Sequence, residues 1–427
     1  MKFIADLHIH SHYSLATSKL LSPEHLDYWA RIKGITVVGT GDFTHPKWIA
    51  ELKQKTEPAE DGLYKLKKEH FMAERLFSDK KVRFILSSEI SCVYKKNNRV
   101  RKTHSIILAP DLKTVEIIQK KLTTLNCNIS SDGRPIIGMD TKNLLDLVLS
   151  VSKDCMLIPA HIWTPWFSLF GSRSGFDSVE ECFGDLSQYI FALETGLSSD
   201  IPMNRLCSFL DKYTLISNSD AHSPEKLGRN ANIFNTDLSY KGITEALKTN
   251  NKKTFNATID MFPQEGKYHY DGHRKCGICM DPFSSIKHEN ICPVCNKLMT
   301  LGVYNRVAKL SDRKKYTKNT EQPDFFHIIP LKEILSEILN VGVNSQRLTN
   351  VYFDTIKELG PELDILLSLP IEKITNTEVS QDLFNTKTSS NPILQKLANS
   401  LKNMREEKIK IQHGYDGEYG KISAIGS

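Results

Sequence analysis

Seven apolar runs in the first two thirds of this chain carry a His, Asp or Glu at one end. They are residues 3–10, 35–42, 82–89, 104–108, 156–161, 189–194 and 213–220, and the polar residues they deliver are His8, His10, Asp42, Glu89, His104, His161, Glu194 and Asp220, with His222 close behind. An ionisable group carried to the edge of an apolar core must be paired or metal-bound to offset its desolvation. Imidazoles mixed with carboxylates suit Zn, Mn or Fe. In extended backbone His8 and His10 project to the same side and can grip one ion; Asp220 and His222 repeat the device. Glu89 can bridge two ions, and Glu194 reads either as a ligand or as the partner behind one. His12 shares the parity of His8 and His10 but reads as a surface or phosphate-contacting residue.

A second set has the spacing Cys276-x2-Cys279-x12-Cys292-x2-Cys295. Two such knuckles present four thiolates tetrahedrally, and a ribbon this short folds around the ion, so one structural zinc is expected. The other five cysteines are scattered like reduced core thiols, and a reducing cytoplasm suits the clustered four.

Two further stretches lie beside the ligand-bearing runs. Residues 161–175 hold Trp163, Trp166, Phe167 and Phe170 and end in Gly171, Ser172, Arg173, Ser174 and Gly175. Exposed aromatics near a metal site suit stacking on an unpaired base, although part of the cluster must be loop core. Lys95, Lys96, Arg99, Arg101 and Lys102 place five cations in eight residues between Glu89 and His104. They form either a solvated face or a phosphate clamp.

Positioning these groups requires strands that end on one rim. From residue 1 to about 262 strand-like runs alternate with helical patterns at 23–33, 66–77, 111–125 and 141–152, which predicts an α/β architecture with a largely parallel sheet. If the sheet closes into a barrel, the strand ends share the face where such folds build active sites. His104 opens its run instead of closing it, so residues 91–103 read as a hairpin returning to the same rim. A cysteine-rich ribbon at 263–300 and a mainly helical region at 301–427 follow, the latter with helices near 331–339, 345–359 and 391–402, a polar linker at 376–391 and a turn-rich tail at 414–420. At 427 residues two or three domains are expected. No run approaches a membrane span, the start reads as a strand and not a secretory leader, and a net charge of +6 mildly favours a polyanionic partner.

The opening Asp6-Leu7-His8-Ile9-His10, the strand-terminal Glu89 and the closing Ser219-Asp220-Ala221-His222 resemble the PHP (polymerase and histidinol phosphatase) metallohydrolases. The resemblance implies a distorted (β/α)7 barrel over residues 1–262 with two or three divalent metals, zinc with Mg or Mn able to support activity. Many members have Asp-His where this chain has Asp42-Phe43, so Asp42 or His45 would complete any third site. The stretch 39–48, the aromatic loop, the stretch 218–229, the ribbon and the tail together are similar to the PHP-domain DNA repair nucleases. That implies a lesion-specific endodeoxyribonuclease nicking 5′ to deaminated bases (hypoxanthine, uracil, xanthine) and abasic sites and leaving a 3′ hydroxyl. His8, His10, Glu89, Asp220 and His222 would act through metals, and the basic hairpin with Trp163, Trp166, Phe167, Ser172 and Arg173 would contact DNA. The implied setting is cytoplasmic and nucleoid-associated, with damaged DNA and replication or repair factors as partners. The alternatives are a PHP phosphatase acting on a small phosphate monoester and a DNA-binding adaptor whose metal is structural.

Overall fold

The computed structural model describes residues 1–376 and 392–425, and all but the first residue of the expected 376–391 linker lies outside them. Seven strands build the barrel: β1 (Lys2–Asp6), β2 (Val37–Gly39), β3 (Arg83–Lys96), β4 (Arg99–Ala109), β5 (Met156–Pro159), β6 (Ala192–Glu194) and β7 (Thr214–Ile216). β1, β2 and β3 pair in parallel, as do β6 and β7. The wall closes where the chain after β7 meets the chain after β1, with Asp220 N–H donating to His8 O at 2.9 Å and His10 N–H to Ala221 O at 3.2 Å.

β4 is the exception that the sequence anticipates. It returns antiparallel from β3 through a two-residue turn, Asn97-Asn98, whose φ angles of 52° and 57° are those of a type I′ hairpin. Because β4 runs backward, a residue inside the strand, His104, arrives beside Glu89, near the rim where the parallel strands finish.

Two apolar layers hold this frame. Phe3, Ala5, Leu7, Val37, Ile85, Ile106, Leu108, Met156, Ile158, Ala192 and Ile216 fill the interior. A larger layer packs the outer helices against the wall, including Leu26 and Ala30 from Pro23–Lys33, Val115 and Ile118 from Leu112–Thr124, and Leu144 and Val148 from Thr141–Val151. Strands buried on both faces read as continuous apolar runs.

The helix expected over 66–77 does not form. Leu66 ends a strand, Leu63–Leu66, and only a single 3-10 turn, Lys68–His70, follows before an irregular stretch. Its apolar residues reach the core only in part, and Arg75 sits over the Phe71 ring at 3.3 Å.

Beyond the barrel, β8 (Ala231–Asn235) and β9 (Phe255–Met261) extend the sheet from β1. β10 (Asp271–His273) pairs with β11 (Ile278–Met280) in the cysteine-rich insert. The chain after it returns to the barrel sheet, since β12 (Asp324–Ile328) pairs in parallel with β9. The helices Leu331–Leu339, Gln346–Leu359 and Pro392–Arg405 then pack together, and Lys33 of the barrel meets Glu362, the first residue of the short helix Glu362–Leu367, at 2.5 Å. The tail folds back on the insert, with Tyr270 N–H donating to Gly414 O at 3.0 Å. No helix among the described residues is long and apolar enough to cross a membrane.

Candidate metal centre

Two groups of ligand atoms lie side by side on the rim, each with its atoms within 4.8 Å of one another: His8, His10 and Asp220, and Glu89, His104 and His161. Glu89 spans both. Its Oε1 is 2.6 Å from His104 Nδ1, 3.0 Å from His161 Nε2 and 3.7 Å from His8 Nε2, while Oε2 is 3.6 Å from His10 Nε2. His10 Nε2 lies 2.9 Å from Asp220 Oδ1. His8 Nε2 is fully buried without a hydrogen-bond partner, with carboxylate oxygens of Glu89 and Asp220 3.7 and 3.8 Å away. An orphaned imidazole nitrogen aimed at acceptor oxygens is what a divalent ion would satisfy, so these residues fit a pair of metals.

The remaining expected residues stand behind the ligands. Glu194 takes His8 Nδ1 on both oxygens, at 3.0 and 3.1 Å, and also accepts Asn218 Nδ2 at 2.9 Å and the His161 N–H at 2.8 Å. It therefore fixes which His8 nitrogen faces the centre, the usual role of a carboxylate behind a metal-facing histidine. Asp42 does the same for His10. Its Oδ1 is 3.3 Å from His10 Nδ1, and its Oδ2 accepts the Ser11 N–H at 2.7 Å, Ser11 Oγ at 2.6 Å and Ser14 Oγ at 2.8 Å. With its oxygens so occupied, Asp42 lies outside both ligand groups, and His45 turns Nε2 to Ser130 O at 3.0 Å. His12 pairs with Glu51 at 3.3 Å. His222 holds its Nδ1 on Asp220 O at 2.8 Å, which leaves only Nε2 toward the centre.

The backbone that delivers these groups is strained. Asp42, His161 and Asp220 have φ angles of 51°, 28° and 47°, a region that costs a non-glycine residue about 1–3 kcal/mol. The surroundings enforce it: Gly196 packs so closely that a Cβ there would stand 2.5 Å from His161 Cβ.

Burial opposes a charged His8, but Glu194 and Glu89 outweigh it and hold the imidazole well above its ordinary range. His10 is lifted against its burial by Asp220 and Asp42, to about 9. Burial would raise Glu89 and Asp220, yet the neighbouring imidazoles keep both well below the usual carboxylate range. Protons occupy the positions for which a cation would compete.

Three contributors are not among the residues that the run ends deliver. Asn218 accepts the Leu7 N–H at 2.8 Å while donating to Glu194. Ser91 holds His104 Nε2 at 2.7 Å. Arg134 reaches Glu89 Oε2 at 3.4 Å from a loop pressed so tightly on Asp42 that a Cβ on Gly133 would meet Asp42 Oδ2 at 2.2 Å. Arg134 adjoins no apolar run, so only the fold brings it here.

Strand parity divides the basic hairpin. Directly opposed residues share a face, so Lys95 (opposite Val100) and Lys102 (opposite Val93) lie on the face of Glu89 and His104. Lys96, Arg99 and Arg101 take the other. There Lys96 binds Cys182 O at 3.0 Å, while Arg101, buried, binds Gly175 O and Glu181 and stacks on Phe176. Of the five cations only Lys95 and Lys102 share the face of the centre, because Lys96 and Arg101 are engaged within the protein and Arg99 faces away.

Trp163 is corrected as well. It is 1% exposed, donates Nε1–H to Asn204 Oδ1 at 2.7 Å and packs on Phe170, so it is loop core and cannot stack on a base. Trp166 is 51% exposed with Lys102 over its ring at 5.0 Å, Phe167 lies against the His104 ring at 4.8 Å, and Ser172 and Arg173 are exposed.

In the insert, His273 joins Cys276, Cys292 and Cys295 in one group within 4.8 Å, and Cys279 is exposed. The group holds three of the four expected cysteines together with an imidazole, and Cys279 stands outside it. His273 shares a face with its partner Ile278, so the adjacent Cys279, opposite Gly272, is turned the other way. Burial works against an ionised Cys292, but the N–H groups of Val294 and Cys295 pull its thiol down to about 6, while burial and the neighbouring thiols push Cys276 up to about 11.

A distorted seven-strand barrel with candidate metal sites on its rim, followed by a cysteine-rich cluster and a helical C-terminal region, is an α/β fold of the PHP class. Over its full length the chain matches the structure of endonuclease Q. The lesion-specific endonuclease Q of Pyrococcus furiosus aligns with a TM-score of 0.83 at 29% identity, covering 99% of this chain and 95% of its own. An endonuclease Q in complex with a 27-mer duplex bearing an abasic lesion at the active site aligns with a TM-score of 0.80 at 28% identity, covering 100% and 98%. Among sequences, the uncharacterised YqxK of Bacillus subtilis is 27% identical over 431 residues, 99% of each chain. The uncharacterised MJ0043 of Methanocaldococcus jannaschii is 32% identical over 270 residues, 61% of this chain, which spans 31% of that relative's length. The MJ0043 C-terminal domain family matches residues 330–385.

Proposed function

We propose that this protein is a metal-dependent DNA repair endonuclease that nicks the backbone 5′ to deaminated bases and abasic sites and leaves a 3′ hydroxyl. The observation that carries this reading is the full-length likeness to endonuclease Q at TM-scores of 0.83 and 0.80, one of the two bound to a duplex with an abasic lesion at its active site. The rim residues support it. His8, His10 and Asp220 would hold one ion and His104 and His161 a second, with Glu89 between them. We take them as zinc, with Mg or Mn able to support turnover. Such a pair supplies Lewis acidity toward a phosphodiester and a nucleophile at neutral pH.

The chain's own groups do the rest. Glu194 and Asp42 orient the two histidines of the first group, and Ser91 orients His104. Arg134, whose guanidinium touches Glu89 at the open side, is placed to meet a non-bridging phosphate oxygen. Lys95 and Lys102 extend that positive edge along the hairpin. Trp166 and Phe167, beside Lys102, offer ring faces to an extruded base. A deaminated or missing base is held weakly in the stack, so extruding it costs less than extruding a normal one.

The test is cleavage of end-labelled duplexes carrying one hypoxanthine, uracil or abasic site, with a divalent metal, mapped to single-nucleotide resolution. A nick immediately 5′ to the lesion with undamaged duplex spared is expected. Equal cutting of damaged and undamaged strands would reduce the protein to a nonspecific nuclease. No cutting alongside rapid release of phosphate from a small monoester would make it a phosphatase.

A further inference from the structure

Immediately after the His8–His10 segment the chain forms a tight loop that presents two aliphatic side chains to solvent. Leu15 is 66% exposed and Leu20 55%, while Ser14 and Leu21 at the loop's base are buried. A single exposed leucine is ordinary. Two on a loop this firmly tied are not, because a slack loop would let them fold back onto apolar surface and this one holds them away from it.

The ties are specific. Ser14 N–H donates to Ser11 O at 3.2 Å, and Thr17 Oγ1–H to Ser14 O at 2.7 Å. Ser18 N–H donates to His222 O at 2.8 Å, and His12 N–H to Leu21 O at 3.2 Å. Ala16 sits at φ 60° and fixes the reversal at the tip. Leu15 N–H donates to Asp132 Oδ1 at 3.0 Å, the oxygen that also takes the Arg134 N–H at 3.1 Å.

These bonds also locate the loop. Leu15 follows Ser14, whose hydroxyl reaches both Asp42 and His10 Nδ1, and through Asp132 it is tied to the loop whose Arg134 touches Glu89. The leucines therefore stand on the rim of the candidate metal centre, with exposed Lys19 between them.

We propose that Leu15, supported by Leu20, is the wedge that enters the duplex at the lesion and fills the space left by the extruded nucleotide. The inference rests on the endonuclease reading above and adds to it a surface that is specific for double-stranded substrate. Extruding a nucleotide leaves its neighbours without stacking contacts on one side. An apolar side chain restores part of that contact, and proteins that kink or unstack duplexes insert such groups. A rigid mount is what the role needs, because a mobile leucine would have to give up its conformational freedom on entering the stack. Lys19 is positioned to meet the backbone phosphates that the opened step brings close.

The experiment compares wild type, Leu15→Ala, Leu15→Met and Leu20→Ala on one uracil-containing strand presented in three ways: paired to a full complement, paired to a complement that leaves the uracil unpaired in a bulge, and single-stranded. Leu15→Ala should lower the ratio of kcat/KM for paired duplex to that for single strand about tenfold, from the apolar area removed. The bulge should recover most of the loss, Leu15→Met should stay within about threefold of wild type, and Leu20→Ala should show a smaller fall. A 2-aminopurine beside the uracil should brighten on binding wild type and stay quenched with Leu15→Ala. An unchanged ratio for Leu15→Ala, or an equal loss on all three substrates, overturns the wedge. A wild-type protein that cuts none of the three overturns the endonuclease reading and the wedge with it.

Discussion

Replacing Glu194 by Gln should cost metal affinity far more than its near-identical shape suggests. The carboxylate is fully buried and meets three groups that all donate: His8 Nδ1–H at 3.0 and 3.1 Å, Asn218 Nδ2–H at 2.9 Å and the His161 N–H at 2.8 Å. An ionised carboxylate accepts from all of them. A glutamine offers one oxygen, so in either orientation its NH2 confronts Asn218 or the His161 backbone donor to donor, and a buried donor left unsatisfied costs about 1–3 kcal/mol. Loosening His8 adds the roughly 10- to 100-fold typical of losing a group behind a metal-facing histidine. Together the two effects amount to about 2.4–5.7 kcal/mol, or roughly 60- to 15,000-fold in affinity. Because Glu194 holds His8 from one ligand group and the His161 backbone from the other, both sites should weaken. The assay is a competition titration of metal-free protein against a zinc chelator of known affinity, with circular dichroism to establish that the variant is folded. A Glu194→Gln protein that binds zinc within threefold of wild type would refute the argument.

Two other predictions follow from the geometry. In the insert, His273→Ala and Cys292→Ser should each release about one zinc per chain after dialysis, whereas Cys279→Ser should retain it; zinc loss from Cys279→Ser would restore that thiolate to the site. Burial and then the nearby Glu333 lift Glu265 to about 8. The folded protein thus keeps a proton that the unfolded chain gives up near pH 4–5, and stability falls as pH rises from there through 8. Glu265→Gln imitates the protonated form, so its Tm should exceed that of wild type by a few degrees at pH 8 and match it at pH 4; an equal difference at both would exclude the mechanism.

The barrel was legible because its strands are buried on both faces. Continuous runs such as 82–89 and 156–161 are hard to mistake, and a charged residue where a run stops marks the rim. The reversed strand was legible too, since His104 opens its run and Asn97-Asn98 supplies a hairpin turn. The segment 66–77 misled because its scattered apolar residues fit a helical period while packing only in part.

What the sequence by itself determined, then, was the inventory: which residues reach the rim, where the cysteine-rich insert begins, and that imidazoles and carboxylates would converge. Tertiary structure decided the role of each. Glu194 and Asp42 differ from Glu89 only in what surrounds them, for their oxygens are taken up by protein donors, whereas Glu89 lies among imidazole nitrogens. Pleat parity in a paired hairpin turned Cys279 outward and His273 inward, and it sent Lys96 and Arg101 away from the face of Lys95 and Lys102. Arg134 reached the centre across a loop with no pattern of its own. A linear sequence records composition and period, but whether a side chain becomes a ligand, a support or core depends on which donors and acceptors the folded chain brings within hydrogen-bond distance, and those include residues 186 and 210 positions away.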